Sequence, residues 1–364
     1  MRKAMKILLI LLAVVAVVAI TAILVLRHPA FGHHVSAERK ARIEASPNYR
    51  DGMFQNEEPT PQFSRSMPAM LWDFIVNPPK DRTPKEPLPA VKTDLKNLPT
   101  DRDWLVWFGH SSYLFCLNGK RYLVDPLLKM EFPASVMMKP FAGTDIYTPD
   151  DMPDIDVLII THEHWDHLDY ATLRDLRPKV SHVICPLGVA EYLEYWKYEP
   201  SIITEMDWSD HTAQADWKKC QMSDVQCQIT CLPSRHFSNR LIGARNQTLW
   251  AAFMVEAGGR KVYVGGDGGY DGRFKRVREQ FGQVDLALLE NGQYNNDWPL
   301  IHSTPEGLEH AIMDLQAKAV FTVHHDKFAL AKHPWSEPEQ LVQSFAARND
   351  VNLLDQPIGT VIEF

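Results

Sequence analysis

Apolar residues fall along this chain in three regimes. The first is Ile7 to Leu26, twenty consecutive apolar or small residues interrupted only by the hydroxyl of Thr21 and carrying no charge. Such a run, as a helix, spans a bilayer. Arg2, Lys3 and Lys6 crowd its amino end while Arg27 stands almost alone beyond it. The positive-inside bias then keeps the amino terminus cytoplasmic and exports the rest, to a periplasmic or extracellular side. A cleaved signal peptide is the competing reading, but its apolar region is shorter, roughly 7–15 residues, and ends in a small-x-small site. The stretch Thr21-Ala22-Ile23-Leu24-Val25-Leu26 offers no good match, so residues 1–27 read as a retained transmembrane anchor. The second regime, residues 28–100, is broken by Pro59, Pro61, Pro68, Pro78, Pro79, Pro84, Pro87 and Pro89, which exclude any long helix. It reads as an arm packing on the body, not as a domain. Within it Met67, Met70, Leu71, Trp72, Phe74 and Ile75 have the spacing of a short amphipathic helix. Such a helix packs on the body or lies against lipid, and packing is the commoner use.

From Trp104 onward, over a body spanning 101–364, strand and helix signals interleave. Leu105–Phe108, Tyr113–Leu117 and Arg121–Val124 read as strands, with the hairpin dipeptide Asn118-Gly119 between the last two. Val157–Thr161 is a buried-strand run, followed by a helix at Tyr170–Leu176, a strand at Val183–Cys185 and a helix near Val189–Trp196. Strands are expected near Ile202 and at Val225–Leu232, Trp250–Glu256, Val262–Gly265, Val284–Leu289 and Ala319–Val323, with a helix near Phe274–Phe281. Ser303-Thr304-Pro305-Glu306 and Ser336-Glu337-Pro338-Glu339 have the S/T-x-x-E capping form, and each predicts a helix start. Hairpins first and alternating units later make one α/β body of sheets covered by helices.

Composition narrows the function. Across 364 residues, 38 basic and 46 acidic side chains leave a formal charge of −8, which gives no general attraction to nucleic acid. Five cysteines are too few for a disulfide scaffold. Cys220 and Cys227, flanking a turn at Met222-Ser223-Asp224, either pair in an oxidising compartment or stay buried thiols. Oligomeric state is not legible.

Candidate chemistry begins where the strand Asp156-Val157-Leu158-Ile159-Ile160-Thr161 runs into His162-Glu163-His164-Trp165-Asp166-His167. In extended backbone, residues two apart share a side, so His162 and His164 can hold one cation while the following turn brings Asp166 and His167 to a second. Glu163 alternates away and is read as structural. Further candidates stand at strand ends: His236, Asp267 within Gly265-Gly266-Asp267-Gly268-Gly269, and His324. Seven nitrogen and oxygen donors with no thiolate suit two borderline cations, zinc first, with manganese or iron tolerated. The glycines beside Asp267 let that carboxylate approach both ions. Asp125, just before Pro126, is a candidate to orient a ligand imidazole or else a simple turn residue.

The H-x-H-x-D-H cluster, followed in order by histidine, aspartate and histidine at strand ends, resembles the metallo-β-lactamase superfamily. Trp107-Phe108-Gly109-His110-Ser111, Val124-Asp125-Pro126, His167-Leu168-Asp169-Tyr170, Gly266-Asp267-Gly268-Gly269-Tyr270 and Phe328-Ala329-Leu330-Ala331 are similar to the N-acyl-phosphatidylethanolamine-hydrolysing phospholipase D branch, over roughly residues 45 to 364. The resemblance implies an αββα sandwich with its site at one edge of the two sheets. One metal would take His162, His164 and His236, the other Asp166, His167 and His324, with Asp267 and a hydroxide shared between them. It also implies contacts of His110 and His302 with the leaving group or phosphate. Two departures stand out. His324-His325-Asp326-Lys327-Phe328 replaces a His-Trp-Gly-Thr-Phe stretch, with His324 aligned as the ligand, and Leu289-Glu290-Asn291-Gly292-Gln293-Tyr294 replaces an apolar-Gly-Ala-Tyr stretch. The second bears on substrate and lies outside the expected metal set.

These readings converge on a membrane-anchored hydrolase with two Zn2+ per chain, about 3.5–4 Å apart, activating a shared water for attack on a lipid phosphodiester. Asp166, Asp267 and His302 would act on the reacting groups. The implied products are an N-acylethanolamine and phosphatidic acid. The irregular apolar stretch from Leu127 to Phe141 either lines an acyl groove or fills core. A lactonase or sugar-phosphate hydrolase is the alternative enzyme, distinguished by equal turnover of soluble substrates. A metal-dependent, non-enzymatic membrane scaffold is the third reading.

Overall fold

The computed structural model describes residues 2–32, 35–212, 227–240 and 243–364. The strands are β1 (Tyr49–Arg50), β2 (Met53–Phe54), β3 (Trp104–Trp107), β4 (Tyr113–Leu117), β5 (Lys120–Val124), β6 (Ile155–Ile159) and β7 (Val180–Pro186). They continue as β8 (Ile203–Met206), β9 (Cys227–Leu232), β10 (Ala252–Ala257), β11 (Arg260–Val264), β12 (Leu286–Glu290), β13 (Ala319–Val323) and β14 (Val361–Glu363). A seven-stranded sheet runs β14-β3-β4-β5-β6-β7-β8 and a five-stranded sheet runs β13-β12-β11-β10-β9. Each is antiparallel at one side and parallel at the other, with β5 to β8 parallel in the first and β11 to β13 parallel in the second.

Alternation along the strands explains why the sheets stack. Leu105, Phe115, Tyr122, Val124, Val157 and Ile159 of the large sheet share a buried cluster with Ile229, Phe253, Val255, Val264, Leu288 and Phe321 of the small one. The intervening residues face outward, Val106, Leu114, Leu123 and Leu158 against helices Tyr170–Leu176 and Ala190–Tyr195. On the small sheet, Met254, Tyr263, Ala287 and Val320 meet helices Arg273–Phe281, Pro305–Leu315 and Glu337–Asn349. Because both faces of each sheet are covered, the strands are apolar at nearly every position. The result is an αββα sandwich. Asn118 and Gly119 turn β4 into β5 with φ of 49° and 78°, the paired positive φ of a type I′ hairpin.

Several details depart from the sequence reading. The helix after Ser303 is capped one residue later, by Thr304, whose side chain accepts from the Gly307 amide. Ser336 precedes the last helix but makes no capping bond through its side chain. Three-residue β14 and the β1-β2 hairpin carry too few positions for a period to register, and both were missed. Cys220 and the turn at 222–224 lie outside the described residues. Cys227 is a buried free thiol, 3.1 Å from the Tyr122 hydroxyl. Leu127, Leu128, Met138 and Phe141 are buried while Val136 and Met137 of the short helix Ala134–Met137 are exposed.

The N-terminal helix Arg2–Leu26 projects with its apolar side chains exposed and contains a candidate membrane span, Met5–Leu26. Beyond it the arm touches the body at several points. The Arg39 guanidinium lies against Glu191, Glu194 and Glu205, the Phe54 ring is fully buried, and Arg82 donates to the carbonyls of Ala329 and Ala331. Helix Met67–Val76 behaves differently: of its apolar residues only Met70 is buried. Its side chains are apolar on nearly every side, so contact with the body along one line leaves the rest in solvent.

Candidate metal centre

The carboxyl ends of β5, β6, β9, β11, β12 and β13 open at one edge of the sandwich, the edge where parallel strands leave room for ligands. After β6 the chain is held by the Ile160 amide on the Ile184 carbonyl and by the Ala251 amide on the Thr161 carbonyl. It then delivers His162, His164, Asp166 and His167 and enters the helix at Tyr170, which Asp169 caps by accepting from the Thr172 amide at 2.7 Å. His236 follows β9, Asp267 follows β11, and His324 follows β13 with φ of 75°. Gly266, at φ of 59°, brings its Cα so near the Ala251 carbonyl that an added Cβ would sit 2.7 Å from that oxygen. No larger residue fits there without moving backbone.

Two groups of donor atoms meet. In the first, the His164 Nδ1 lies 2.8 Å from the His162 Nε2 and 3.1 Å from the His236 Nε2. The second holds Asp166, His167 and His324 together with His110. Asp267 stands between them. Its Oδ2 is 3.9 Å from the Nε2 atoms of both His162 and His236 and 3.1 Å from that of His167, while its Oδ1 is 3.3 Å from the His324 Nδ1. The seven residues expected from the sequence are thus brought to one place.

Surrounding bonds fix the rings. The His236 Nδ1–H donates to the Ile301 carbonyl at 2.6 Å, which commits Nε2 as the free acceptor. The His167 Nδ1–H donates to Asp125, whose carboxylate also accepts from the amide and hydroxyl of Thr161. Asp125 therefore braces the His167 ring as well as the Thr161 backbone. His110 Nε2 donates to Asp166 at 2.9 Å, and the Ser111 Oγ lies 2.9 Å from the His324 Nδ1. Reciprocal backbone bonds between His110 and the His324-His325 pair lock β13 to the β3-β4 turn.

Electrostatics match a cation site. Burial pushes His162, His236 and His324 well below the ordinary imidazole range and His164 down to about 3, so these rings are neutral. Burial drives Asp267 up to about 7, against the pull of His167. His167 moves the other way, well upward despite burial, because Asp267, Asp166 and Asp125 surround it. The Nε2 atoms of His167 and His324 and the Oδ1 of Asp267 are buried with no hydrogen-bond partner. Orphaned buried donors and acceptors of this kind are costly, and divalent cations among His and Asp ligands relieve them. The residues present therefore fit metal.

Other expected residues find their places. Glu163 points away, accepting from the Tyr192 hydroxyl at 2.7 Å. His325 turns aside to Thr322 and Asp326, which leaves His324 at the centre. His302 is held through Nδ1 by Glu290. Glu290 was missed: its carboxylate clusters with Asp267, His302 and His324 and accepts from the Gly268 amide at 2.7 Å. A lone acid closing the apolar run Leu286-Ala287-Leu288-Leu289 was the available signal. A pocket of about 350 Å³ opens onto Asp166, Asp267, His302 and His324, walled by Met137, Met138, Trp165, Phe237, Trp298 and Leu330.

Residues 120–325 match the β-lactamase superfamily domain. An uncharacterized protein of Mycobacterium tuberculosis is 32% identical over 87% of this chain and 84% of its own length. An N-acyl-phosphatidylethanolamine-hydrolyzing phospholipase D of Caenorhabditis elegans is 28% identical over 53% of this chain and 54% of its own, so the chain spans about half of that relative. Among solved structures, the diiron β-hydroxylase CmlA of Streptomyces venezuelae shares the fold with a TM-score of 0.54 at 18% identity, over 73% of this chain and 55% of that one.

Proposed function

The chain belongs to the β-lactamase superfamily, as a metal-dependent hydrolase, and from that premise we propose that it cleaves a lipid phosphodiester with two zinc ions. The observation carrying this reading is the Asp267 carboxylate, placed between the His162-His164-His236 group and the Asp166-His167-His324 group. The first group would hold one ion and the second the other, with Asp267 common to both. Bound there, a cation pair lowers the pKa of water and offsets charge on a phosphoryl oxygen.

The chain's own residues supply the rest. Asp166, kept ionised by His167 and His110 against burial, would orient the attacking water. His302, raised above the ordinary imidazole range because Glu290 outweighs burial, has its Nδ1 engaged and would protonate the departing oxygen from Nε2. Apolar walls at Met137, Met138, Trp165, Phe237, Trp298 and Leu330 suit acyl chains, and a relative bearing the phospholipase D name supports lipid over sugar phosphate. The Met5–Leu26 segment would anchor residues 1–27 with the amino terminus cytoplasmic and residues 101–364 exported.

Metal analysis of the purified chain, paired with hydrolysis of N-acyl-phosphatidylethanolamine, tests the proposal. Two equivalents of zinc and release of phosphatidic acid are expected. Two equivalents of iron would replace the metal assignment. Turnover confined to lactones or soluble sugar phosphates would replace the substrate, and full metal occupancy with no hydrolysis of any ester would leave a scaffold.

A further inference from the structure

The pocket is bordered by unusually apolar, solvent-facing segments. Met67, Leu71, Trp72 and Ile75 of helix Met67–Val76 are 61%, 60%, 68% and 64% exposed, and Val136 and Met137 are 74% and 55% exposed. A soluble surface seldom leaves so many large apolar groups together. Met137 lines the pocket directly, and Gln62, five residues before the helix, lines it too. The helix is held by buried Met70 on one side and by polar bonds: Arg65 on Asp297 and Asp73, and Lys332 on Asp73 and Asp297. Asp297 and Lys332 flank the pocket residues Trp298 and Leu330.

The end of the N-terminal helix is seated at the same rim. The His28 ring meets Phe132 and Tyr170 edge-on at 5.5 and 5.8 Å, and Phe31 meets Trp165 at 5.1 Å. Trp165 is a pocket wall between His164 and Asp166. The Ala30 carbonyl accepts from Arg240, whose guanidinium lies 3.9 Å over the Trp165 ring, and the Pro29 carbonyl accepts from the Trp196 indole. Gly32 passes so close to Tyr192 that an added Cβ would lie 2.3 Å from its ring. The chain therefore leaves its apolar helix directly at the pocket mouth, without a free linker.

We infer that helix Met67–Val76 and the Phe132–Met137 segment form a docking face for the phospholipid bilayer that receives the N-terminal helix, so that lipid reaches the pocket from the membrane. Continuity with Met5–Leu26 selects the bilayer as occupant, because a body fastened at His28–Phe31 keeps its rim at the headgroup layer. Exposed Trp72 has the amphipathic ring that such interfaces favour. The inference rests on the lipid reading above but makes a prediction independent of hydrolysis.

The full chain is reconstituted into vesicles of phosphatidylethanolamine and phosphatidylglycerol, carrying a fluorescent label at Trp72→Cys, at Val136→Cys or at Leu341→Cys in the last helix. The parent chain, taken through the same labelling, gives the background. Brominated acyl chains are expected to quench labels at 72 and 136 several times more strongly than at 341. Equal quenching at all three sites overturns the docking face, and label-to-label quenching at 72 between two chains assigns the patch to a second copy instead, which also overturns it. A second variant, Leu71→Gln/Trp72→Gln/Ile75→Gln, is expected to lose about ten-fold in hydrolysis of vesicle-borne phosphodiester lipid while a soluble bis-aryl phosphodiester is cleaved unchanged. Equal change on both substrates, or none on either, counts against the inference. If the parent chain cleaves no phosphodiester, the function proposal fails and the quenching alone decides the docking face.

Discussion

The two donor groups that meet at Asp267 are built differently. His162, His164 and His236 are imidazoles alone, oriented by a hydroxyl, by one another and by the Ile301 carbonyl. Asp166, His167 and His324 stand inside a web of Asp125, Thr161, His110 and Ser111. One group is neutral, and the other brings its own negative charge and a braced frame. A cation in the charged group gains a direct Coulomb term that the neutral group lacks. In the proposed two-ion centre the neutral position then exchanges more readily and depends on Asp267 for its only carboxylate.

The largest effect that would break this contrast is expected from Asp267→Ala. Removing the shared carboxylate should empty both positions and cost about a thousand-fold or more in turnover, several kcal/mol of transition-state stabilisation. Retention of two metal equivalents by this variant in elemental analysis would remove Asp267 from the bridging role. Next come His167→Ala and His164→Ala. Each should lose about one equivalent, but mild chelator should strip the second ion faster from His167→Ala, because only the neutral group then stays intact; equal stripping rates in both variants would erase the distinction. Asp125→Asn keeps the shape but weakens the hold on His167, and about a 10–100-fold loss of metal affinity is expected at the charged position, read by competition with a chromophoric chelator. Ser111→Ala should be smallest, a few-fold at the same position and undetectable at the neutral one. Extracting metal from the parent chain should lower the thermal midpoint by several degrees, since a cation held more tightly by the folded than by the unfolded chain stabilises the fold.

The strands and their burial were legible because each sheet face is covered and apolar residues fill whole runs, as in Val157–Thr161 and Ala319–Val323. The H-x-H-x-D-H cluster announced itself by density, and His236, Asp267 and His324 by their places after strands. Other features were not readable. Thr304 caps its helix although only Ser303, with Glu306 three residues on, matches the S/T-x-x-E pattern, because the helical backbone starts at Pro305. Glu290 looked like the polar end of a strand, and only the approach of His302 from twelve residues away in sequence makes it part of the site. Helix Met67–Val76 has a composition that fits a core equally well, and nothing local states whether a wall stands opposite.

Local sequence therefore determined which residues are extended, which are helical and which bring imidazole and carboxylate donors, because periodicity and side-chain chemistry are properties of neighbours. The stacking of two sheets decided that six strand ends open at one edge, that Asp267 falls between two donor groups, and that the apolar helix 67–76 is left uncovered. Those are distances between segments far apart in sequence, fixed by long-range packing that a local pattern does not encode.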